Sequence, residues 1–138
     1  MSLFSIFEVG GSGLAAQSVR LNVTASNLAN AGSVSGSDGQ TYRARHPVFS
    51  AVLMDTAGSS PQSYGVKVDG VVQDQSALQP EYAPAHPKAN ADGFIFRSNV
   101  NTVEEMANML SASRSYESNL SVINAAKEML LRTLSLGQ

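Results

Sequence analysis

The last third of the chain, residues 101–138, carries the apolar spacing of one long helix. Met109, Tyr116, Ile123 and Leu130 are separated by seven residues, which is the spacing of a coiled-coil seam. A helix over this segment is roughly 50 Å long at about 1.5 Å per residue. Because that length exceeds a compact domain of this size, the helix is expected to need a partner. The other apolar positions assigned to its packing are Val103, Met106, Leu110, Leu120 and Leu134.

The start of this helix has a capping signature. Thr102 is a favourable N-cap residue, and Glu105 stands three positions later, which predicts a reciprocal capping box. Leu120 and Ile123 lie further along, three residues apart and on one side of the helix. We expect these two side chains to face helices of other subunits rather than a core within the chain.

The other end of the chain, residues 1–31, predicts a second helix. Phe7, Leu14, Leu21 and Leu28 also fall at intervals of seven. A small residue follows each of them by four positions, and alternating large and small side chains suit close helix packing. The sequence therefore predicts that the two terminal helices pair as a coiled coil.

Three glycines complicate the first helix. Gly10, Gly11 and Gly13 each weaken a helix by roughly 1 kcal/mol relative to alanine. Either the glycines break the helix, which then starts at Leu14, or the first turns become ordered only against a partner. The segment is not a phosphate-binding loop, because no strand precedes it and no lysine follows it.

The middle of the chain favours short strands. Residues 40–54 and 64–73 alternate apolar and polar side chains, and residues 94–96 predict one more strand. Pro47 limits its run to a sheet edge or a break, and Asp69-Gly70 predicts a turn or a bulge. The loops are expected at residues 32–39, 57–63 and 76–92.

These patterns predict an α+β fold in which two long terminal helices pack as a coiled coil, with a small β-rich insert between them. Its predicted parts are an N-terminal helix at 1–31, the insert at 32–100 and a C-terminal helix at 101–138.

Composition narrows the possible functions. The chain has 138 residues, which is enough for one domain with a core, and a net charge of −2, which provides no basic field for nucleic acid. It contains no cysteine, so disulfides and thiolate metal sites are excluded. No apolar run approaches the ~20 residues of a membrane span, and the N-terminus lacks the basic region of a secretion signal. We therefore expect no nucleic-acid partner, no direct membrane span and no cleaved signal.

Candidate chemistry is sparse. His46 and His86 are far apart and lack a ligand at the third or fourth following position. We therefore predict no metal, no cofactor and no catalytic residues, and we interpret Met106, Met109 and Tyr116 as packing residues. Arg43 and Arg45 are compatible with a solvated strand face or with a contact between subunits.

Several motifs carry a resemblance to a known family. Residues 26–31, in order Ser26, Asn27, Leu28, Ala29, Asn30 and Ala31, resemble the N-terminal signature of the bacterial flagellar rod, hook and hook-associated axial proteins. The middle segment narrows the resemblance to a member of the proximal rod. The further matching motifs are Tyr42-Arg43, Pro47-Val48-Phe49, Gly65-Val-Lys-Val68, Tyr82 with Pro84, Asp92-Gly-Phe94, Asn99-Val-Asn101 and Ser113-Arg-Ser-Tyr-Glu117.

The resemblance implies a structural subunit whose terminal helices form the core tube of the rod, with the insert outside it. It implies a rod that crosses the periplasm, transmits torque from motor to hook, and is built from subunits exported by the flagellar type III apparatus. The implied partners are copies of this chain, other proximal and distal rod proteins, and the basal adaptor joined to the membrane ring. The seven-residue series and their neighbours form the predicted assembly interface: Phe7, Leu14, Leu21, Leu28, Met106, Met109, Tyr116, Leu120, Ile123, Leu130 and Leu134.

Two other classes of function remain open at this point. A helical binding module would use the same seam for one partner and form a discrete complex. A hydrolase would need a pocket with converging titratable groups, and the sequence offers none.

Overall fold

The structure is a computed structural model that describes residues 3–54 and 63–136. Two long helices flank the five strands of the described residues, so the predicted arrangement of terminal helices around a β-rich middle is correct. The elements are α1 (Leu3–Asn30), β1 (Val34–Ser35), a 3₁₀ turn (Asp38–Gln40), β2 (Arg45–Met54), β3 (Ser63–Gln73), β4 (Gln79–Tyr82), β5 (Phe94–Arg97) and α2 (Thr102–Leu136).

Helices α1 and α2 pack against each other in an antiparallel pair. Gly10 near the start of α1 lies against Ile123 in the second half of α2. Nearer the end of α1, the Arg20 guanidinium donates a hydrogen bond to Asn108 Oδ1 at 3.1 Å. Residue numbers therefore rise along α1 as they fall along α2, and the long C-terminal helix finds its partner within the chain.

The glycine-rich segment of α1 remains helical, so the structure excludes one of the two alternatives, a break before Leu14. A Cβ atom built on Gly10 would lie 2.8 Å from Ile123 Cγ1, and one on Gly13 would lie 2.8 Å from Asn119 Nδ2. These two glycines face α2 and allow the helix backbones to approach closely. Gly11 has nothing within 4 Å of such an atom.

The predicted coiled-coil packing is wrong. Large apolar side chains should fill the seam of a coiled coil, yet Phe7 and Leu14 are only half-buried, like the rest of their series. Leu14 and Leu21 each follow a residue that faces α2, namely Gly13 and Arg20, and successive helical residues are turned by about 100°. Leu28 follows Asn27, which faces the hairpin. The fully buried helix positions are small or polar: Ser5, Ala16, Thr24, Asn27, Glu105, Ala112 and Ala126.

The N-terminus of α2 is capped by a different residue from the one predicted. Asn101 Oδ1 accepts hydrogen bonds from the backbone N–H groups of Val103 at 3.1 Å and Glu104 at 3.4 Å. Thr102 is already the first helical residue, so the capping box with Glu105 is absent from this helix end. Asparagine serves well as an N-cap because its short side chain reaches the free N–H groups of the first turn.

Strands β2 and β3 form a long antiparallel hairpin that contacts α1. The prediction of a strand over residues 64–73 is confirmed, and Pro47 is accommodated because a two-stranded ribbon consists only of edges. The pairing shifts between Val48 and Phe49, where Asp69 is the extra residue on β3, so the predicted bulge is also present. The predicted loop at 57–63 lies mostly outside the described residues, although Ser63 begins β3.

The remaining strands form a small antiparallel sheet in the order β1-β5-β4. Strand β5 confirms the strand predicted at 94–96, but β1 and β4 lie in segments predicted as loops. Leu78 and Ile95 are buried in this part of the insert. Gly93 has a φ of +80°, which favours glycine, and its Cα faces the ring of Tyr82.

Matched alanine substitutions test the close approach of the helices. Gly11→Ala should raise the free energy of unfolding by about 0.5–1 kcal/mol, because alanine restricts the unfolded chain and nothing obstructs its methyl group. Gly10→Ala should be about 1–3 kcal/mol less stable than Gly11→Ala, because its methyl group overpacks against Ile123, whose branched side chain is stiff. Urea unfolding followed by circular dichroism measures both. Equal stabilities would contradict the packing of Gly10 against α2.

Candidate assembly interface

The junction between α1 and the hairpin is built around Asn27, the second residue of the family motif. Its side chain is 1% exposed. Asn27 Nδ2 donates to the carbonyl oxygen of Arg45 at 2.8 Å, and Asn27 Oδ1 accepts from the Arg45 N–H at 3.0 Å and from the Tyr42 hydroxyl at 2.8 Å. The asparagine amide thus pairs with the first residue of β2 as a neighbouring strand would. Every one of these bonds connects α1 to the insert.

The other motif residues have smaller roles at this junction. The Ser26 hydroxyl lies 3.2 Å from the Tyr42 hydroxyl, and the Asn30 amide donates to the Ser26 carbonyl within α1 at 2.8 Å. Leu28 is half-buried and Ala29 is exposed. Ala31 follows the last helical residue, and its N–H reaches the Leu28 carbonyl at 3.3 Å.

A closed ring of hydrogen bonds holds the other side of the junction. The Ala44 N–H donates to Asn99 Oδ1 at 2.7 Å, and Asn99 Nδ2 donates to the Ser76 hydroxyl at 2.8 Å. That hydroxyl donates to Asp74 Oδ2 at 2.9 Å, and the Asp74 N–H returns to the Ala44 carbonyl at 2.8 Å. The ring joins the chain before β2, the chain after β3 and the segment that enters α2.

The ring also affects the ionisation of Asp74. The backbone N–H of Ser76 donates to Asp74 Oδ1 at 2.8 Å, in addition to the hydroxyl bond. These two donors, the backbone bond first, lower the pKa of Asp74 from its ordinary value.

An exposed apolar surface runs along α2. Val103, Met106 and Leu110 are 74%, 63% and 54% exposed. Leu110 and Leu131 follow Val103 at multiples of seven residues. Leu120 and Leu134 follow Met106 in the same way. We name this surface the outer stripe, and it comprises Val103, Met106, Leu110, Leu120, Leu131 and Leu134.

The structure divides the predicted interface residues into two groups. Met106, Leu120 and Leu134 are exposed on the outer stripe. The remaining members are half-buried, and Ile123 among them lies against Gly10 of the same chain. The half-buried members are Phe7, Leu14, Leu21, Leu28, Met109, Tyr116, Ile123 and Leu130.

The hairpin carries a second exposed apolar surface, which the sequence reasoning did not single out. The cross-strand pairs Ala51–Val66 and Leu53–Tyr64 lie on the face opposite the α-carbon of Gly65, which packs against α1. The alternation of residues 64–73 could have revealed this face, because Tyr64, Val66 and Val68 share it. The exposed large apolar residues of the hairpin are Val48, Phe49, Val52, Leu53, Tyr64, Val66, Val71 and Val72.

The polar surface offers little for catalysis or metal binding. A polar cleft of about 630 Å³ lies beside the junction and is lined by Arg43 and Arg45. Arg43 is paired with Asp38 at 2.7 Å, and the Arg45 guanidinium lies over the Tyr42 ring at 5.4 Å. Among the residues that the structure describes, no three His, Cys, Asp or Glu side chains gather as a metal site would require.

Two families of known proteins match the two ends of the chain. A family described as "Flagella basal body rod protein" matches residues 7–36. A family described as "Flagellar basal body rod FlgEFG protein C-terminal" matches residues 91–136.

Relatives that match the chain over its full length define the family more narrowly than the two partial matches do. The flagellar basal-body rod protein FlgC of Salmonella typhimurium is 50% identical over 138 residues, which cover 100% of both chains. The FlgC proteins of Escherichia coli O6:H1 and Yersinia enterocolitica are 49% and 46% identical over the same full coverage. The chain belongs to the FlgC family of flagellar basal-body rod proteins. As a FlgC-family protein it is a structural component of the rod, and its place is the flagellar basal body.

The exposed apolar residues fit a FlgC-family chain that works by packing against other proteins. Many of its exposed large apolar side chains lie together, on the outer stripe or on the hairpin. Neither helix, over the described parts of the chain, is long and apolar enough to cross a membrane.

The hydrogen-bond ring predicts a titration change. Ser76→Ala removes the hydroxyl donor to Asp74, so the pKa of Asp74 should rise, while the remaining backbone donor should keep it below its ordinary value. The ionised carboxylate stabilises the fold above the pKa that Asp74 has in the unfolded chain. That contribution is lost as the pH falls through the lowered pKa, and Ser76→Ala should reduce it.

Carboxyl carbon chemical shifts, followed by NMR during an acid titration, measure this change. Gln75→Ala is the control, because Gln75 bonds the Gln73 carbonyl and not Asp74. An unchanged Asp74 titration in Ser76→Ala would contradict the hydroxyl bond.

Proposed function

We propose that this chain is a repeating subunit of the proximal rod that assembles helically across the periplasm and transmits torque from the motor to the hook. Residues 1–31 and 101–138 would provide the helical core of the rod, and residues 32–100 would form the outer part. The chain would act through these contacts rather than as an enzyme.

The outer stripe is the observation that carries this proposal. Burying a large apolar side chain contributes about 1.5–3 kcal/mol, so six of them left in water favour association strongly. The stripe runs beside the face of α2 that contacts α1, so a further helix can pack there without separating the pair. Such a helix would contact one surface of its neighbour with a different surface of its own, and contacts of this heterologous kind generate open helical filaments.

We further propose that the predicted interface residues act in two ways. The exposed members Met106, Leu120 and Leu134 would contact helices of neighbouring subunits directly. The half-buried members would keep the two helices together and offer their open sides to the same neighbours. The neighbours would be copies of this chain, other proximal and distal rod proteins, and the basal adaptor joined to the membrane ring.

We also propose that the flagellar type III apparatus exports the chain, since family resemblance assigns rod subunits to that route. Inactivating the export apparatus in a flagellated host, with its general secretion pathway intact, should retain the chain in the cytoplasm. Undiminished recovery from the periplasm of that host would overturn this part of the proposal.

A charge on the outer stripe tests the assembly proposal. Leu110→Asp should leave the chain folded, because Leu110 is exposed, but should reduce its incorporation into rods by at least tenfold. The reason is that a carboxylate buried in an apolar contact costs several kcal/mol, and about 1.4 kcal/mol is already a tenfold change. The amount of the variant in isolated basal bodies is compared with the amount in the periplasm.

Two further variants interpret that measurement. Ser118→Asp places the same charge at an exposed position outside the outer stripe, and normal incorporation is expected. Ile123→Asp should destabilise the free chain, because Ile123 lies against Gly10. A normal share of Leu110→Asp in basal bodies would refute the role of the outer stripe.

A further inference from the structure

We infer that Asn27 and Asn99 are positioning residues that fix the direction of the β2–β3 hairpin relative to the helix pair. Neither residue has an assigned role in the proposed assembly. They bond two adjacent residues of the insert where the chain turns into β2: Asn27 bonds Arg45, and Asn99 bonds Ala44. The inference is that α1 and the hairpin form one rigid body rather than two parts joined by a flexible loop.

The first support is the completeness of the pairing at Asn27. Both ends of its amide are bonded to Arg45, and Oδ1 holds the Tyr42 hydroxyl in addition. An amide with three partners in a nearly fully buried site has one orientation, because any rotation leaves a buried polar atom unpaired. The start of β2 therefore cannot turn on α1 without breaking these bonds together.

The second support is the hydrogen-bond ring at Asn99, which holds Ala44, the residue just before Arg45. Asn99 holds the Ala44 N–H, while Asp74, just beyond β3, holds the Ala44 carbonyl. Both backbone groups of Ala44 and both of Arg45 are thus committed to partners outside β2 or at its edge. The two strands of the hairpin are fastened where they leave the helix pair.

The third support is a second attachment nearer the start of α1. The Ser12 hydroxyl donates to the Val9 carbonyl at 2.8 Å and accepts from the Val66 N–H at 3.1 Å. Ser12 and Asn27 are fifteen positions apart, which is about 22 Å along a helix at 1.5 Å per residue. Two attachments at that separation fix a direction, whereas one would leave a pivot.

The glycine-rich segment of α1 allows close contact with both α2 and the hairpin. Gly10 and Gly13 face α2, whereas Ser12 between them faces the hairpin. Gly65 of β3 lies against Ser12 Oγ, which a Cβ atom on Gly65 would approach to 3.0 Å. Small residues at this level therefore let α1 be contacted closely on two sides at once.

An isolated two-stranded hairpin is only marginally stable in water, so its direction must come from what holds it. The consequence for assembly rests on the proposed function: the apolar face of the hairpin, with Leu53, Tyr64 and Val66, is presented to neighbours at a fixed angle. A hairpin free to swing would present that face in many directions and would reduce productive docking.

The absence of cysteine makes a distance measurement straightforward. Spin labels are attached at Lys67→Cys on β3 and Ser121→Cys on α2, both exposed positions, and pulsed electron resonance gives their distance distribution in the full chain. The otherwise unsubstituted chain should show one narrow distribution. Asn27→Ala and Asn99→Ala should each at least double its width while circular dichroism keeps its helical signal.

Asn30→Ala is the matched control, because Asn30 belongs to the same motif but bonds the Ser26 carbonyl within α1. It should leave the width unchanged. If Asn27→Ala loses its helical signal, Tyr42→Phe replaces it, since that change removes only the hydroxyl at Asn27 Oδ1 and should widen the distribution to a smaller extent.

Three results would overturn the inference: a broad distribution in the unsubstituted chain, widths unchanged in both asparagine variants, or a width unchanged in Tyr42→Phe when that variant is needed. Incorporation into rods is then compared for Asn27→Ala and Asn30→Ala. A widened distribution with normal incorporation would overturn the requirement for a fixed hairpin in assembly. The proposed function is judged separately by Leu110→Asp, whose distance distribution should remain narrow.

Discussion

Helix α1 is contacted closely on two sides, by α2 and by the hairpin, and the rest of the structure depends on this double contact. Neither outer element has a large core of its own. The contact with α2 depends on residues without bulk, such as Gly10, Ala16 and Ala112, while the contact with the hairpin depends on hydrogen bonds. Dispersion from close approach and hydrogen bonds between polar groups therefore take the place of a large apolar interior.

Few large side chains are buried, so many of the large hydrophobic residues lie on the surface of the chain. The buried apolar positions of the helices are alanines, and Leu110 and Leu131 face solvent on a single chain. A monomer with so much apolar surface outside its core is incomplete by ordinary standards of burial. Membership of a family of rod proteins supplies a physical reason, because assembled neighbours can cover that surface.

The sequence predicted the elements of this fold better than their contacts. Seven-residue spacing identifies α2 and its extent, and alternation identifies β3, because these patterns arise from local backbone geometry. Spacing could not show which face of α1 meets α2, since the leucines occupy the neighbouring positions and glycine carries no hydrophobic signal. Strand β4, with its proline, was missed because partners distant in sequence override weak local preference.

The site was predictable to a similar degree. The family motif drew attention to Asn27, but its role depends on Arg45 and Tyr42, which only the tertiary structure places beside it. Met106, Leu120 and Leu134, three of the eleven predicted interface residues, are exposed, and their place in an interface stays a prediction. The capping residue was misassigned between Asn101 and Thr102, because both residue types cap well and their order in the chain does not decide between them.

The antiparallel pairing of the helices also has a mechanical consequence. The beginning of α1 and the end of α2 lie at the same end of the molecule, while the junction at Asn27 lies at the other and the hairpin runs back along α1 as far as Ser12. A force that pulls on the start of α1 or on the end of α2 would separate the helices one turn at a time. It would not shear the whole contact at once. Contacts between small side chains offer little resistance to such peeling, whereas the braced junction at the far end would be the last to yield.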